Sequence, residues 1–425
     1  GEMRESFELA DRVLADRFER PLSARVYPPP RFDRKVEQAD KAALAATNVA
    51  QPALGASEIG LCRLLERCGV SPAMAAGHSY GEYPALWAAG CFSDRDLLAI
   101  SEARGRFIIE EAKGDLGAMA AVQADADAVR RVIEPLENVW LANLNAPRQT
   151  IISGSDEGLA TATERLNAAG TACKPIAVSC AFHSPLVAPA RDRLAEFLAA
   201  IDFKPPRFPV FSNTTADEHA ADPDAIRAVL GDHLVSPVRF VEEVERMYDR
   251  GARIFVEVGP RNILSNLAEQ ILGDRAALVL PLEVRHRPDL VHLQHVLGQL
   301  AAHGVDIDAD ALFEGRCTQA LDLERLDQVA ASPTLSKTTW WVSGGSVRPA
   351  QERPPAGAVP NDGVEHEDIP MPNMPPEPRE AAPEAAAPPP AGAGAGTVSD
   401  LMRQHQHLME RFLAMQERIM TAYLQ

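Results

Sequence analysis

The five residues Gly77-His78-Ser79-Tyr80-Gly81 constrain the fold of this chain more than any other stretch. They stand where the apolar run GVSPAMAAG gives way to YGEYPALWAAG, whose spacing is that of a helix closing at Gly90. The pattern reads as strand, tight turn, helix, an arrangement that belongs to α/β domains. A turn this tight leaves no room for side chains at its flanks, which accounts for Gly77 and Gly81. Ser79 is then held at the crest, its hydroxyl exposed at a helix N-terminus, as in a nucleophile elbow. The same five residues also fit a plain turn, so any chemistry needs support from elsewhere in the chain.

Composition narrows the field. The chain has 425 residues, 46% of them hydrophobic, enough for one large domain or two modest ones with appendages. A formal net charge of -18 disfavours nucleic acid as a partner, because phosphate contacts need clustered Lys and Arg. The same balance disfavours an anionic membrane surface, and no apolar run approaches the roughly 18 residues of a membrane span. Six cysteines at positions 62, 68, 91, 173, 180 and 317 form no CxxC pair. That spacing predicts neither a zinc site nor a disulfide framework, and it fits a cytoplasmic location.

Four regions follow one another. Up to about residue 282, helical faces alternate with strand-like runs such as TIISG (150–154), FPVFSN (208–213) and RIFVEVG (253–259). These predict a large α/β subdomain, with a parallel sheet, over 1–116 and 180–282. Within it, residues 117–179 read as β-α-β-β-α-β, an inserted ferredoxin-like subdomain. Residues 283–347 read as a linker region with one helix and an extended tract around Trp340 and Trp341, laid back on the main domain. Thirteen prolines and an AGAGAG repeat make 348–396 a semi-extended linker without a core. The segment 397–425 reads as an amphipathic helix whose apolar stripe is too wide for a lone helix. Self-association through 399–425, or docking on another domain, is therefore expected, with a fold-back onto its own domain as the alternative.

A serine hydroxyl needs a base within hydrogen-bond reach to act as a nucleophile. Among eleven histidines, His183 in VSCAFHSPL has the best setting, at the end of an apolar run. His78 adjoins the serine, but neighbours at a turn point apart, so it reads as structural. Arg104 in ISEARGRFI lies beside the buried stripe of its helix. It is either a surface residue or, if turned to the pocket, a fork for a substrate carboxylate.

GHSYGE, the arginine 25 residues after the serine, NLNAPRQTIISG, AFHSPL, HLVSPVRF and FVEVGPRNIL occur in the order seen in malonyl-CoA:acyl carrier protein transacylases. The chain resembles more closely the acyltransferase domains of type I polyketide and polyunsaturated fatty acid synthases. The resemblance covers residues 1 to about 282. It implies an α/β-hydrolase-like large subdomain and assigns Ser79 as acyl carrier, His183 as base and Arg104 as clamp for the malonyl carboxylate. The backbone carbonyl of His233 would orient the imidazole in place of a triad aspartate. The Tyr80 N–H would give half of an oxyanion hole, and Gln51 and Asn213 would line the pocket. Phe182 resembles the malonyl-type pattern, a ring that crowds an α-methyl group.

The implied reaction takes malonyl-CoA and the phosphopantetheine thiol of an acyl carrier protein as its two substrates, with no bound cofactor or metal. Other synthase domains, in the same parent polypeptide, are the further partners implied. Family members begin with a strand and a GQGSQ-like loop, whereas this chain opens at GEMRESFELADRVLADRF. It is accordingly expected to be a fragment of a longer polypeptide. Two other readings stay open: an α/β-hydrolase-type thioesterase or esterase, and a truncated, non-catalytic docking fragment. The first expects an acidic residue between serine and histidine and a histidine after the last strand; His183 instead precedes about a hundred further domain residues.

Overall fold

The computed structural model describes residues 1–31, 33–111, 117–176, 178, 180–315, 340–343 and 346–349. The expected carboxyl-terminal helix at 397–425, and all of the Pro-rich linker beyond Pro349, lie outside the described residues.

Gly1–Ala320 forms one compact unit. Its frame is helical. Thr47–Arg67 packs along Asp94–Glu110, and the latter starts at a capping box in which Ser93 and Asp96 satisfy each other's backbone N–H groups. Glycine makes that packing close. A Cβ on Gly105 would come within 2.5 Å of the Asn48 Cα and the Thr47 carbonyl oxygen, so only glycine lets the helices meet there. The main core gathers Ile59, Leu86, Leu97, Leu98, Ile100, Leu194 and Val210, all fully buried.

Four strands make the sheet of the smaller subdomain: β1 (Ala118–Val122), β2 (Val139–Ala146), β3 (Gln149–Gly154) and β4 (Cys173–Ile176). Helices Ala126–Ile133 and Asp156–Ala168 connect β1 to β2 and β3 to β4, capped by the Asp125 and Ser155 side chains. The order β2-β3-β1-β4, antiparallel throughout, is ferredoxin-like. One face of each element is buried in its own core around Val122, Val129, Ile152, Leu159 and Leu166.

Parallel pairing is sparse in the larger part. β5 (Ile254–Glu257) pairs in parallel with β6 (Leu278–Pro281), and Ala75 pairs with Val210 in a single parallel bridge. The apolar run before the elbow was expected to be a strand. It is extended but holds its neighbour only through Ala75, because the Ala75 N–H and C=O bond Pro209 and Phe211 and nothing continues the ladder. FPVFSN is likewise reduced to bridges at Val210 and Phe211.

Helix Asp289–Ala302 buries Leu293, Val296, Leu297 and Leu300 against β6 and the end of Thr47–Arg67. In the second unit, β7 (Trp340–Ser343) and β8 (Ser346–Pro349) form an antiparallel hairpin.

Candidate active site

Ser79 begins a 3₁₀ turn, Ser79–Gly81, that runs directly into the helix Glu82–Ala88. Its φ is +51°, a left-handed backbone that costs a non-glycine residue on the order of 1–3 kcal/mol. The two flanking glycines are not equivalent. A Cβ on Gly77 would overlap the Gly81 carbonyl carbon and oxygen, whereas one on Gly81 would meet nothing within 4 Å. Gly81 has φ −57°, ordinary for any residue. The steric reason expected for both therefore holds for Gly77 alone; Gly81 crowds its partner through its backbone.

The Ser79 Oγ lies 2.8 Å from His183 Nε2. His183 is 3% exposed and also has positive φ, +57°, so both members of the pair are held in strained turns. Burial drives its imidazole well below the ordinary histidine value, and the charges of His233, Arg104 and His78 push the same way. It is a neutral ring able to accept a proton, as a base must be. On its far side Nδ1 faces the Ser236 carbonyl at 2.9 Å, which fixes the tautomer with Nδ1–H as donor and Nε2 as acceptor toward the serine.

The family resemblance assigned that carbonyl to His233, and the structure corrects it. His233 caps the helix Pro223–Asp232 in right-handed helical conformation, φ −55° and ψ −36°, so its carbonyl still points along the helix. The chain must leave the helix before a carbonyl can turn to His183. Leu234 does so first, taking the His183 N–H at 3.1 Å, and Ser236 then takes the ring. His233 contributes its side chain instead: a fully buried ring 5.7 Å from the His183 ring, with burial lowering its pKa to about 4.

Asn213 is also placed differently. It was expected to line a pocket, but its side chain makes three hydrogen bonds behind the elbow. Oδ1 accepts from the Ser79 N–H at 2.5 Å; Nδ2 donates to Gly77 O at 2.5 Å and to Glu243 Oε2 at 2.7 Å. The Asn213 N–H donates to Glu82 Oε2 at 2.9 Å, and Glu82 Oε1 is 2.7 Å from His219 Nε2. Burial would raise the Glu82 pKa, yet His233, His219 and the Asn213 N–H outweigh it and hold the carboxyl below its ordinary value. Sequence reasoning missed Glu82, His219, Glu243 and Ser236. Glu82 gave a signal as the last residue of GHSYGE and Ser236 as the fourth residue of HLVSPVRF, whereas His219 and Glu243 gave none.

Arg104 resolves the choice left open by its helix position. It is 2% exposed, and its Nε and Nη2 have no partner. Its guanidinium carbon lies 5.7 Å from the Tyr83 ring centroid, and its charge reaches His183. A buried cation with two idle donors is poised for an anion. Gln51 is 5% exposed; its Nε2 donates to Thr47 Oγ1 at 2.9 Å and its Oε1 has no partner. Tyr80 turns its phenol into the core, where it bonds Ser101 Oγ at 2.7 Å. Phe182 packs against both the main core and the small-subdomain cluster of Met119, Ala142 and Ile151. His78 is structural as expected: its Nε2 meets Asn145 Oδ1 at 2.7 Å and ties the elbow to β2.

Comparison with known proteins agrees with this geometry. The acyl transferase domain family model matches residues 19–307. A malonyl CoA-acyl carrier protein transacylase of Bacillus subtilis (strain 168) is 39% identical over 241 residues, 55% of this chain and 75% of that one. A polyunsaturated fatty acid synthase polypeptide of a Thraustochytrium species is 36% identical over 267 residues, 62% of this chain but 9% of that protein. Among solved structures, the acyltransferase domain from the second module of the salinomycin polyketide synthase has a TM-score of 0.65 at 31% identity, covering 74% of this chain and 70% of that one. The malonyl CoA-acyl carrier protein transacylase of Coxiella burnetii has a TM-score of 0.62 at 32% identity, covering 70% and 90%. With its Ser79–His183 pair and its α/β fold, the chain belongs to the acyl transferase domain family and is an acyltransferase.

Proposed function

We propose that the protein moves a malonyl unit from CoA, through an ester on Ser79, to the phosphopantetheine thiol of an acyl carrier protein. One observation carries the reading: a serine–histidine pair at 2.8 Å whose histidine feels the charge of a buried arginine with two idle donors. The pair supplies acyl transfer, and the arginine selects an acyl group that ends in a carboxylate.

The chemistry follows from the neutral orienting group. In the first half-reaction His183 Nε2 takes the Ser79 proton while Oγ attacks the thioester carbonyl. The carbonyl reforms as the C–S bond breaks, and CoA leaves as the thiol with the proton from His183. In the second, His183 takes the carrier's thiol proton, sulfur attacks the serine ester, and the proton returns to Ser79. Thioester and oxygen ester lie close in energy and a thiolate leaves readily, so no buried carboxylate is needed to stabilise the imidazolium. The Ser236 carbonyl suffices.

The Ser79 N–H is committed to Asn213, so oxyanion stabilisation falls to the Tyr80 N–H, in the 3₁₀ turn that leads into the helix. Gln51 offers its unpartnered Oε1 to an amide N–H of the incoming pantetheine arm, and Phe182 limits the space beside the acyl α-carbon. A carrier protein and neighbouring synthase domains are the partners proposed, in the cytoplasm. The thioesterase reading loses ground because His183 is oriented by a carbonyl and not by a carboxylate.

Intact-protein mass spectrometry tests the reading. Mixing with malonyl-CoA should add one malonyl group, lost on adding a phosphopantetheinylated carrier. Ser79→Ala should abolish the adduct and His183→Ala should slow both half-reactions. An adduct that persists in Ser79→Ala, or one released only to water, would refute the assignment.

A further inference from the structure

The mechanism above gives the buried carboxyl of Glu243 no role and uses the carboxamide of Asn213 only as the partner of the Ser79 N–H, although both lie directly behind the nucleophile. We propose that they form a positioning relay: Glu243 fixes the side-chain orientation of Asn213, and Asn213 holds the Ser79 backbone in the left-handed turn that aims Oγ at His183. The proposal rests on Ser79 being the nucleophile.

Geometry carries it. The elbow needs φ +51° at a serine, a conformation the residue does not favour by itself. Two groups of the elbow backbone, the Ser79 N–H and the Gly77 carbonyl, face the carboxamide, each at 2.5 Å. The first needs an acceptor and the second a donor, so only one orientation of the carboxamide satisfies both. Flipping it by 180° would set its oxygen against Gly77 O and its NH₂ against the Ser79 N–H. The second Nδ2 hydrogen reaches Glu243 Oε2 at 2.7 Å, a third bond made in the observed orientation. Asn213 and Glu243 are both 0% exposed, so water cannot replace either partner.

The backbone is pinned separately. The Asn213 N–H donates to Glu82 and its carbonyl accepts from the Arg239 N–H at 3.1 Å. The relay is therefore the side chain alone, and a change at Glu243 can free it without unmaking the loop. Burial and the charge of Glu82 hold Glu243 well above the ordinary carboxylate value, so it faces Asn213 as a neutral acid. Glutamine is its isostere in that state, with the same acceptor oxygen at the same reach.

The test compares Glu243→Gln with Glu243→Met in the full chain, by pre-steady-state acylation with malonyl-CoA and by the Ser79 amide resonance in the free protein. Glu243→Met should lower the acylation rate constant by on the order of tenfold to 100-fold, as expected for a nucleophile displaced by up to about 1 Å, with the CoA-ester dissociation constant unchanged. Glu243→Gln should recover that rate to within about threefold. The short bond to Asn213 should place the Ser79 N–H resonance downfield in the wild type, and it should move upfield in Glu243→Met and stay in place in Glu243→Gln. An unchanged rate and resonance in Glu243→Met would overturn the relay, and so would a Glu243→Gln protein as slow as Glu243→Met. If Glu243→Met does not fold, Glu243→Leu takes its place beside Glu243→Gln: loss of rate and of the downfield resonance in the leucine variant with retention of both in Glu243→Gln upholds the proposal, and their loss in Glu243→Gln refutes it. If the wild type takes no malonyl group, the functional reading fails, while the amide resonance still judges the relay.

Discussion

Replacing Arg104 by methionine removes the guanidinium while keeping most of the stem that packs in the core. In the free protein the buried cation has two donors without partners, Nε and Nη2. Each such buried donor costs about 1–3 kcal/mol, so the substitution should leave the melting temperature unchanged or raise it. In the malonyl complex those donors are set to meet a carboxylate. Two charge-assisted bonds at about 1.5–3 kcal/mol each amount to about 3–6 kcal/mol, or roughly 10²- to 10⁴-fold in kcat/KM. Acetyl-CoA has no carboxylate to lose, and its transfer should change by less than about threefold. Ser79 acylation with each ester, followed by rapid-quench mass spectrometry, measures both numbers in one protein. A malonyl-to-acetyl ratio equal to that of the wild type would show that Arg104 holds no substrate carboxylate. A fall in both rates together with a lower melting temperature would make it a packing residue.

The two elbow glycines should respond in opposite ways. Gly77→Ala drives a Cβ into the Gly81 carbonyl and should both lower the melting temperature and cut acylation at least 100-fold. Gly81→Ala meets open space at φ −57° and should shift stability by less than about 1 kcal/mol; thermal denaturation of the pair decides. Stability should also fall in acid. His78, His183 and His233 are all lowered in the folded state, so the unfolded chain takes up protons first. Their contribution is complete above about pH 6.5 and is lost as pH drops toward the folded values; for His233, lowered from 6.5 to about 4, it amounts to about 3 kcal/mol. Glu243 runs the opposite way, costing stability at neutral pH and nothing below its ordinary value of 4.5, so Glu243→Gln should steepen the acid loss seen by urea titration. Phe182→Ala should narrow the preference for malonyl over methylmalonyl, a methyl-sized clash being worth about 1–3 kcal/mol; competition between the two CoA esters reads it, and an unchanged ratio would clear Phe182 of that role.

What the sequence determined by itself is local. The elbow was legible because a left-handed turn between an extended segment and a helix leaves its mark within five residues, Gly77 to Gly81. The small subdomain was legible because short strand-like and helical runs follow one another at short range over 117–179. Even His183 and Arg104 could be chosen from their own neighbourhoods, although the choice between pocket and surface for Arg104 had no local answer.

The rest was decided by tertiary structure. Ser79 and His183 are 104 residues apart, and Ser79 and Asn213 are 134 apart, so their bonds exist only once the chain is folded. Which carbonyl serves His183 depends on where one helix ends: His233 keeps helical angles, and a shift of three residues hands the task to Ser236. Asn213 reads from sequence as a polar residue free for a ligand, yet in the fold two elbow backbone groups and two glutamates take up its hydrogen bonds. The physical reason is common to all of these. Backbone propensity is fixed by near neighbours, whereas a buried polar group is satisfied by whichever partner packing brings to it.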